Sequence, residues 1–130
     1  MNPLKKVVYI EDDSDLINLV SLILKRRGIE VKGVSNPHSA IDTILTETPE
    51  LILLDLMMPE IDGWEVYHTL KNNSKTKKIP VIVISAKAQP IDQVLGLHVA
   101  KVDGYICKPF QPEQLISVVE KWILPRSEME

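Results

Sequence analysis

Glu11, Asp12 and Asp13 stand in a row directly after the apolar run Val7-Val8-Tyr9-Ile10, and Asp15 follows shortly. Other polar groups share that placement at the end of an apolar, β-branched run. Asp55 closes "LILLD", Ser85 closes "VIVIS", and Lys108 follows "GYIC". Carboxylates about 4 Å apart repel by about 4 kcal/mol per pair at an effective dielectric near 20, so a cluster either raises its pKa values or takes up a cation. Oxygen donors without His or Cys beside them suit a hard ion, and Mg²⁺ typically combines one or two carboxylates with waters and phosphate oxygens. A carboxylate is also a nucleophile toward phosphorus, giving an aspartyl phosphate. That transfer needs positioning and charge neutralisation, which a metal, an amine and a hydroxyl supply. On this reading Asp55 is the nucleophile, and Glu11 and Asp12 hold the metal. Lys108 pairs with one phosphoryl oxygen and Ser85 hydrogen-bonds another. Singly, each residue has a bland alternative as a turn residue, helix cap or solvated charge. Their joint placement after successive strands is what turn chemistry does not explain.

The elements that must position these groups follow from periodicity. Short apolar runs at Lys6–Ile10, Glu30–Val34, Leu51–Leu54, Val81–Ile84 and Asp103–Cys107 predict strands. Between them lie helix-length amphipathic stretches. Leu16, Ile17, Leu19, Val20, Ile23 and Leu24 recur at spacings of three and four, and Leu115, Ile116, Val118, Val119, Trp122 and Ile123 repeat the pattern. Gly28 ends the first helix after Lys25, Arg26 and Arg27, while Pro37, Pro90 and Pro112 stand where later helices should begin. Asp13 or Ser14 caps the first helix, and Asp15 favours its positive end. Alternation of strand and helix five times over predicts an α/β fold, a five-stranded parallel sheet with helices on both faces. The near-continuous runs at 51–54 and 81–84 suit central strands. In such a sheet ligands bind outside the carboxyl ends of the strands, where the polar groups collect.

The bulk composition narrows the classes. A chain of 130 residues is read as one domain, with a core over 5–124 and a short tail at 125–130. A net charge of −3 provides no electrostatic drive toward nucleic acid or an anionic membrane. The one basic run, Lys75 to Lys78, reads as a solvated loop. Cys107 is the single cysteine, so an internal disulfide is excluded, and it is expected to be a buried strand residue. No run approaches the roughly 18 apolar residues of a membrane span, and no signal-peptide pattern is present, so a cytoplasmic location is expected. His38, His68 and His98 are dispersed over three helices and do not suggest a metal cluster. Trp64 and Trp122 read as packing residues, Trp122 with an option to edge a partner surface.

Four stretches, "VVYIEDD" at 7–13, "LILLDLMMPEIDG" at 51–63, "VIVISA" at 81–86 and "GYICKPF" at 104–110, resemble those of response-regulator receiver domains, the phospho-acceptor half of two-component signalling. The resemblance runs from residue 5 to about 124. It implies a flavodoxin-like (βα)5 fold with strand order 2-1-3-4-5. It implies that Asp55 accepts a phosphoryl group from the phosphohistidine of a histidine kinase or phosphotransfer protein. Asp12, Asp55 and the backbone carbonyl of Met57 would coordinate Mg²⁺, with Glu11 the other member of the acidic pair. Ser85 matches the switch hydroxyl, Tyr105 the switch aromatic and Lys108 the site lysine, and the Lys108–Pro109 bond is expected to be cis. A downstream protein would read the face made by the fourth helix, fifth strand and last helix, in a monomer or weak dimer. Met57 and Lys87, two residues beyond Asp55 and Ser85, border the site. The stretch "AKVDGY" is one residue longer than the family's usual approach to the fifth strand.

Two other functional classes compete. An aspartyl-phosphate phosphohydrolase would carry a second acid two residues after the nucleophile, where Met57 stands. A nucleotide or flavin binder would need a phosphate-cradling glycine loop after the first strand, where bare acids repel phosphate. A receiver-like scaffold that is never phosphorylated is the remaining alternative.

Overall fold

The structure, a computed structural model, describes residues 5–59, 61–86 and 102–123. Its strands β1 (Lys5–Ile10), β2 (Ile29–Val34), β3 (Leu51–Asp55), β4 (Val81–Ser85) and β5 (Gly104–Cys107) each fall within a residue of the sequence expectation. They form one parallel sheet in the order β2-β1-β3-β4-β5. Every residue of β3 and β4 is buried, as near-continuous apolar strands covered on both faces must be.

Side-chain alternation divides the sheet into two cores. Val7, Tyr9, Leu51, Leu53, Ile82, Ile84 and Ile106 face one layer, formed by α1 (Ser14–Lys25) and the C-terminal helix (Pro112–Trp122). Val8, Ile10, Ile52, Leu54, Val81 and Val83 face the other, formed by α2 (Ala40–Glu47) and α3 (Gly63–Lys71). The stripes at spacings of three and four supply the contacts: Val20 and Leu24 from α1, Leu115 and Val119 from the C-terminal helix, Ile44 from α2 and Leu70 from α3. Full burial of one such side chain contributes about 1.5–3 kcal/mol. Arg27 adds a bidentate pair to Glu120 at 2.8 and 2.9 Å, tying the end of α1 to the C-terminal helix.

Local signals act as expected at most ends. Asp13 is the α1 cap, its carboxylate accepting from the N–H groups of Asp15 and Leu16. Gly28 takes φ +76° in the turn into β2, a conformation open to glycine without a Cβ penalty. Pro37 opens a 3₁₀ turn (Pro37–Ser39) capped by Asn36, and α2 starts only at Ala40, so His38 lies in that turn and not in a helix. The basic run is exposed at Lys75, Lys77 and Lys78 but anchored at Thr76, whose buried hydroxyl donates to the Leu70 carbonyl at 2.6 Å. Asp103 clasps the start of β4 from both sides, its N–H donating to the Val81 carbonyl and its carboxylate accepting from the Val81 N–H.

Cys107 corrects one expectation. It is half-buried, because among the described residues β5 is flanked by β4 on one side only and does not gain the double cover of β3 and β4. Trp64 packs against the core of the α2 and α3 layer, whereas Trp122 is 39% exposed. The fourth helix expected from Pro90, together with Lys87, His98 and the tail at 125–130, lies outside the described residues. No helix among the described residues is long and apolar enough to cross a membrane.

Candidate functional site

Strand register builds the site in steps. Ile10 pairs with Leu54, which brings the residues that follow, Glu11 and Asp55, to the same level. Asp55 pairs with Ile84, placing Ser85 one step further out, and Ser85 pairs with Cys107, placing Lys108 one step beyond that. The Lys108 N–H donates to the Ser85 carbonyl at 2.9 Å, and the Glu11 N–H donates to the Val34 carbonyl at 3.0 Å, so both neighbouring edges hold the rim. Asp55 and Ser85 are the last residues of their strands and are only 2% and 1% exposed. The Lys108–Pro109 bond is cis, as the resemblance implied.

Alternation then sorts the side chains. Glu11 shares the parity of Tyr9, and Asp55 that of Leu53, so both belong to the α1 side of the sheet. Lys108 continues the parity of Ile106 on that same side. Its ammonium lies 2.5 Å from Glu11 Oε1 and 3.4 Å from Asp55 Oδ2. Ser85 has the opposite parity, that of Val81 and Val83, and Tyr105 packs against the same α2 and α3 layer. The lysine and the hydroxyl–aromatic pair therefore approach the rim from different layers.

Glu11, Asp12 and Asp55 each bring a carboxylate oxygen within 4.8 Å of the other two. Among the described residues one amine stands against these three acids, so with all four groups ionised they carry an excess of two negative charges. Asp12 registers the crowding: its carboxyl is held above the usual range, first by a hydrogen bond shared with the Glu11 carboxyl, then by burial and by the Glu11 charge, with Lys108 acting in the opposite sense. An all-oxygen donor set with that excess of charge fits a hard divalent cation. The Met57 N–H donates to Asp55 Oδ1 at 3.0 Å, which holds the backbone of Met57 beside the cluster, while its side chain is half exposed.

The segment after β3 is tied down tightly. Met57–Met58 and Ile61–Asp62 form a small antiparallel ladder, and Asp62 caps α3 by accepting from the Trp64 N–H at 2.9 Å. At Gly63 a Cβ would come within 2.4 Å of the Leu56 Cα and 2.9 Å of the Asp55 carbonyl oxygen. Only glycine allows α3 to start this close to the strand that carries Asp55.

Two participants are not evident from sequence. Gly63 ends the stretch at 51–63, where spacing gives it no role. Tyr9 reads as one more apolar strand residue, although its hydroxyl donates to Glu11 Oε1 at 3.0 Å from a fully buried ring. The available signal was the i, i+2 spacing, which puts both on one face of β1. Burial, followed by the charge of Glu11, holds the Tyr9 phenol well above its ordinary pKa. His38 and His68 take no part: His68 lies on α3 against the Tyr67 ring.

Comparison with known proteins agrees with this architecture. Solved structures similar to the chain include a response regulator from Chloroflexus aurantiacus (TM-score 0.83, 23% identity, covering 94% of this chain and 99% of that one). The BeF3-activated N-terminal receiver domain of Klebsiella pneumoniae RstA is similar at TM-score 0.83 and 24% identity, over 93% and 100% of the two chains. Vibrio cholerae chemotaxis protein CheY4 is similar at TM-score 0.82 and 23% identity, over 92% and 98%. At these identities the likeness shows the flavodoxin-like fold. The family model described as the response regulator receiver domain matches residues 7–120. With nearly the whole chain matched, the protein belongs to the receiver-domain family of two-component signalling.

Proposed function

We propose that this receiver domain is a phosphorylation switch, in which Asp55 accepts a phosphoryl group from the phosphohistidine of a histidine kinase or phosphotransfer protein. The observation that carries the reading is the meeting of Asp55, the acidic pair Glu11 and Asp12, and Lys108 at one rim of the sheet. A carboxylate oxygen of Asp55 forms the new bond to phosphorus as the bond to the imidazole nitrogen breaks, and the electron pair leaves with the imidazole. Asp12, Asp55 and the Met57 carbonyl would hold Mg²⁺, with Glu11 behind them. The ion supplies charge neutralisation for the phosphoryl oxygens. Lys108, already 3.4 Å from Asp55, turns toward one phosphoryl oxygen, and the Ser85 hydroxyl hydrogen-bonds another.

The added charge, about −1.5 to −2, is what Ser85 and Tyr105 respond to from the α2 and α3 side. Their movement alters the face made by β5 and the C-terminal helix, where a protein partner docks. The exposed Trp122 lies on that helix. Receiver domains are signalling domains and not enzymes of the usual kind, and Met57 in place of a second acid also disfavours a phosphohydrolase. The domain assists its own phosphorylation and dephosphorylation, as a cytoplasmic monomer or weak dimer.

The test is intact mass after incubation with acetyl phosphate, with and without Mg²⁺. One added phosphoryl group that requires Mg²⁺ and disappears in Asp55→Asn is expected. No addition, or an addition that survives Asp55→Asn, refutes the assignment.

A further inference from the structure

Lys108 has to serve two partners. In the structure it lies nearer Glu11 than Asp55, at 2.5 against 3.4 Å. Glu11 is 1% exposed, so water cannot take over from the lysine if it turns away. A buried carboxylate that loses its cation is strongly disfavoured. Besides the hydrogen bond shared with the Asp12 carboxyl, the other donors to Glu11 among the described residues are therefore decisive. Oε2 accepts a long bond of 3.3 Å from the Asp13 N–H, and Oε1, the atom that Lys108 contacts, accepts the Tyr9 hydroxyl at 3.0 Å.

Tyr9 is suited to that duty by its place in β1. Its ring is fully buried, with no access to solvent through which the hydroxyl could be satisfied instead. It shares Glu11's face at the i, i+2 spacing, and the extra methylene of glutamate over aspartate gives the carboxylate reach toward the hydroxyl.

We propose that Tyr9 is a positioning residue for phosphoryl acceptance: its buried hydroxyl holds Glu11 Oε1 when Lys108 leaves it for the phosphoryl group on Asp55. The inference rests on the reading of Asp55 given above. Tyr9 touches neither the phosphoryl group nor the metal; it acts through Glu11 and so sets how readily Lys108 is released.

Beryllofluoride with Mg²⁺, a phosphoryl mimic, provides the test by calorimetric titration. Tyr9→Phe keeps the ring and removes only the donor, and should weaken beryllofluoride binding about tenfold, the scale of one hydrogen bond to a charged group. In a Glu11→Gln background, where no buried charge is left behind, the same substitution should change binding less than twofold. A Tyr9→Phe protein that binds as wild type does, or an equal tenfold loss in both backgrounds, overturns the proposal. The first of these results with a lowered melting temperature would assign the Tyr9 hydroxyl bond to stability of the fold alone. If wild-type protein fails to bind, or binds equally after Asp55→Asn, the reading of Asp55 falls and this inference with it. Binding that is lost in Asp55→Asn but indifferent to Tyr9→Phe removes only the role of Tyr9.

Discussion

Substituting alanine at Gly63 tests the tightness of the segment that carries Asp55. The new methyl group would sit 2.4 Å from the Leu56 Cα and 2.9 Å from the Asp55 carbonyl oxygen, both backbone atoms that cannot rotate aside. Ordinary van der Waals contact begins near 3.4 Å, so α3 and the β3 end must separate by about 1 Å. Overpacking of this kind costs about 1–3 kcal/mol. A displacement of about 1 Å at a reacting group can reduce a rate by about a hundredfold. Gly28→Ala is the matched control. Nothing lies within 4 Å of its added Cβ, but its φ of +76° is unfavourable for alanine, at about 1–2 kcal/mol. Gly28 lies at the amino end of the sheet, away from the rim. Urea denaturation of both variants, beside acetyl phosphate labelling followed by mass, separates the effects. Both should lose stability, and only Gly63→Ala should lose labelling rate. If Gly63→Ala matches wild type in denaturation midpoint, the close approach of α3 to β3 is not the constraint described here. If Gly28→Ala slows labelling equally, the loss is general and not local to the site.

Asp12→Asn should raise the stability of the metal-free protein. A carboxyl whose folded pKa lies above its ordinary value of 3.8 opposes folding once ionised, so the gain should be present at neutral pH and vanish below about 3.8. Denaturation midpoints across pH check this, and a variant less stable than wild type at pH 7 without metal contradicts it. Mg²⁺ should raise the melting temperature of wild type and not of Asp12→Asn, and equal shifts would remove Asp12 from the ion's site. Lys108→Met should destabilise by about 3 kcal/mol, because Glu11 and Asp55 are left buried without their cation. Mg²⁺ should recover part of that loss, and a midpoint unchanged by the substitution would show that the pairing carries little. Thr48 ends α2 at φ +46°, and Thr48→Gly should stabilise by about 1 kcal/mol as measured in urea. A loss of stability there would mean that the hydroxyl bond to the Glu47 carbonyl outweighs the backbone strain.

The sequence by itself determined the alternation of strand and helix, the strand positions to within a residue, the parallel sheet, and the residues that end each strand. These are local matters: period-two and period-3.6 burial, an aspartate cap before Ser14, a glycine after the basic end of α1. It could also nominate Glu11, Asp12, Asp55, Ser85 and Lys108, because a parallel sheet brings its carboxyl ends to one rim whatever the details. The 3₁₀ turn at Pro37 and the half-exposure of Cys107 were not legible, since each depends on how neighbouring elements pack.

The tertiary structure alone decided how the nominated groups divide their work. Lys108 and Glu11 are 97 residues apart, and only the stepped register of four strands sets which carboxylate the ammonium meets first. The same register sends Ser85 and Tyr105 to the opposite layer from Lys108. Tyr9 became a hydrogen-bond donor to the site only because the two helices of its layer close over it and leave Glu11 as its partner. Hydrophobic periodicity says which side of a strand is buried. What a buried polar atom finds there is settled by distances between segments far apart in the chain, and no local pattern encodes them.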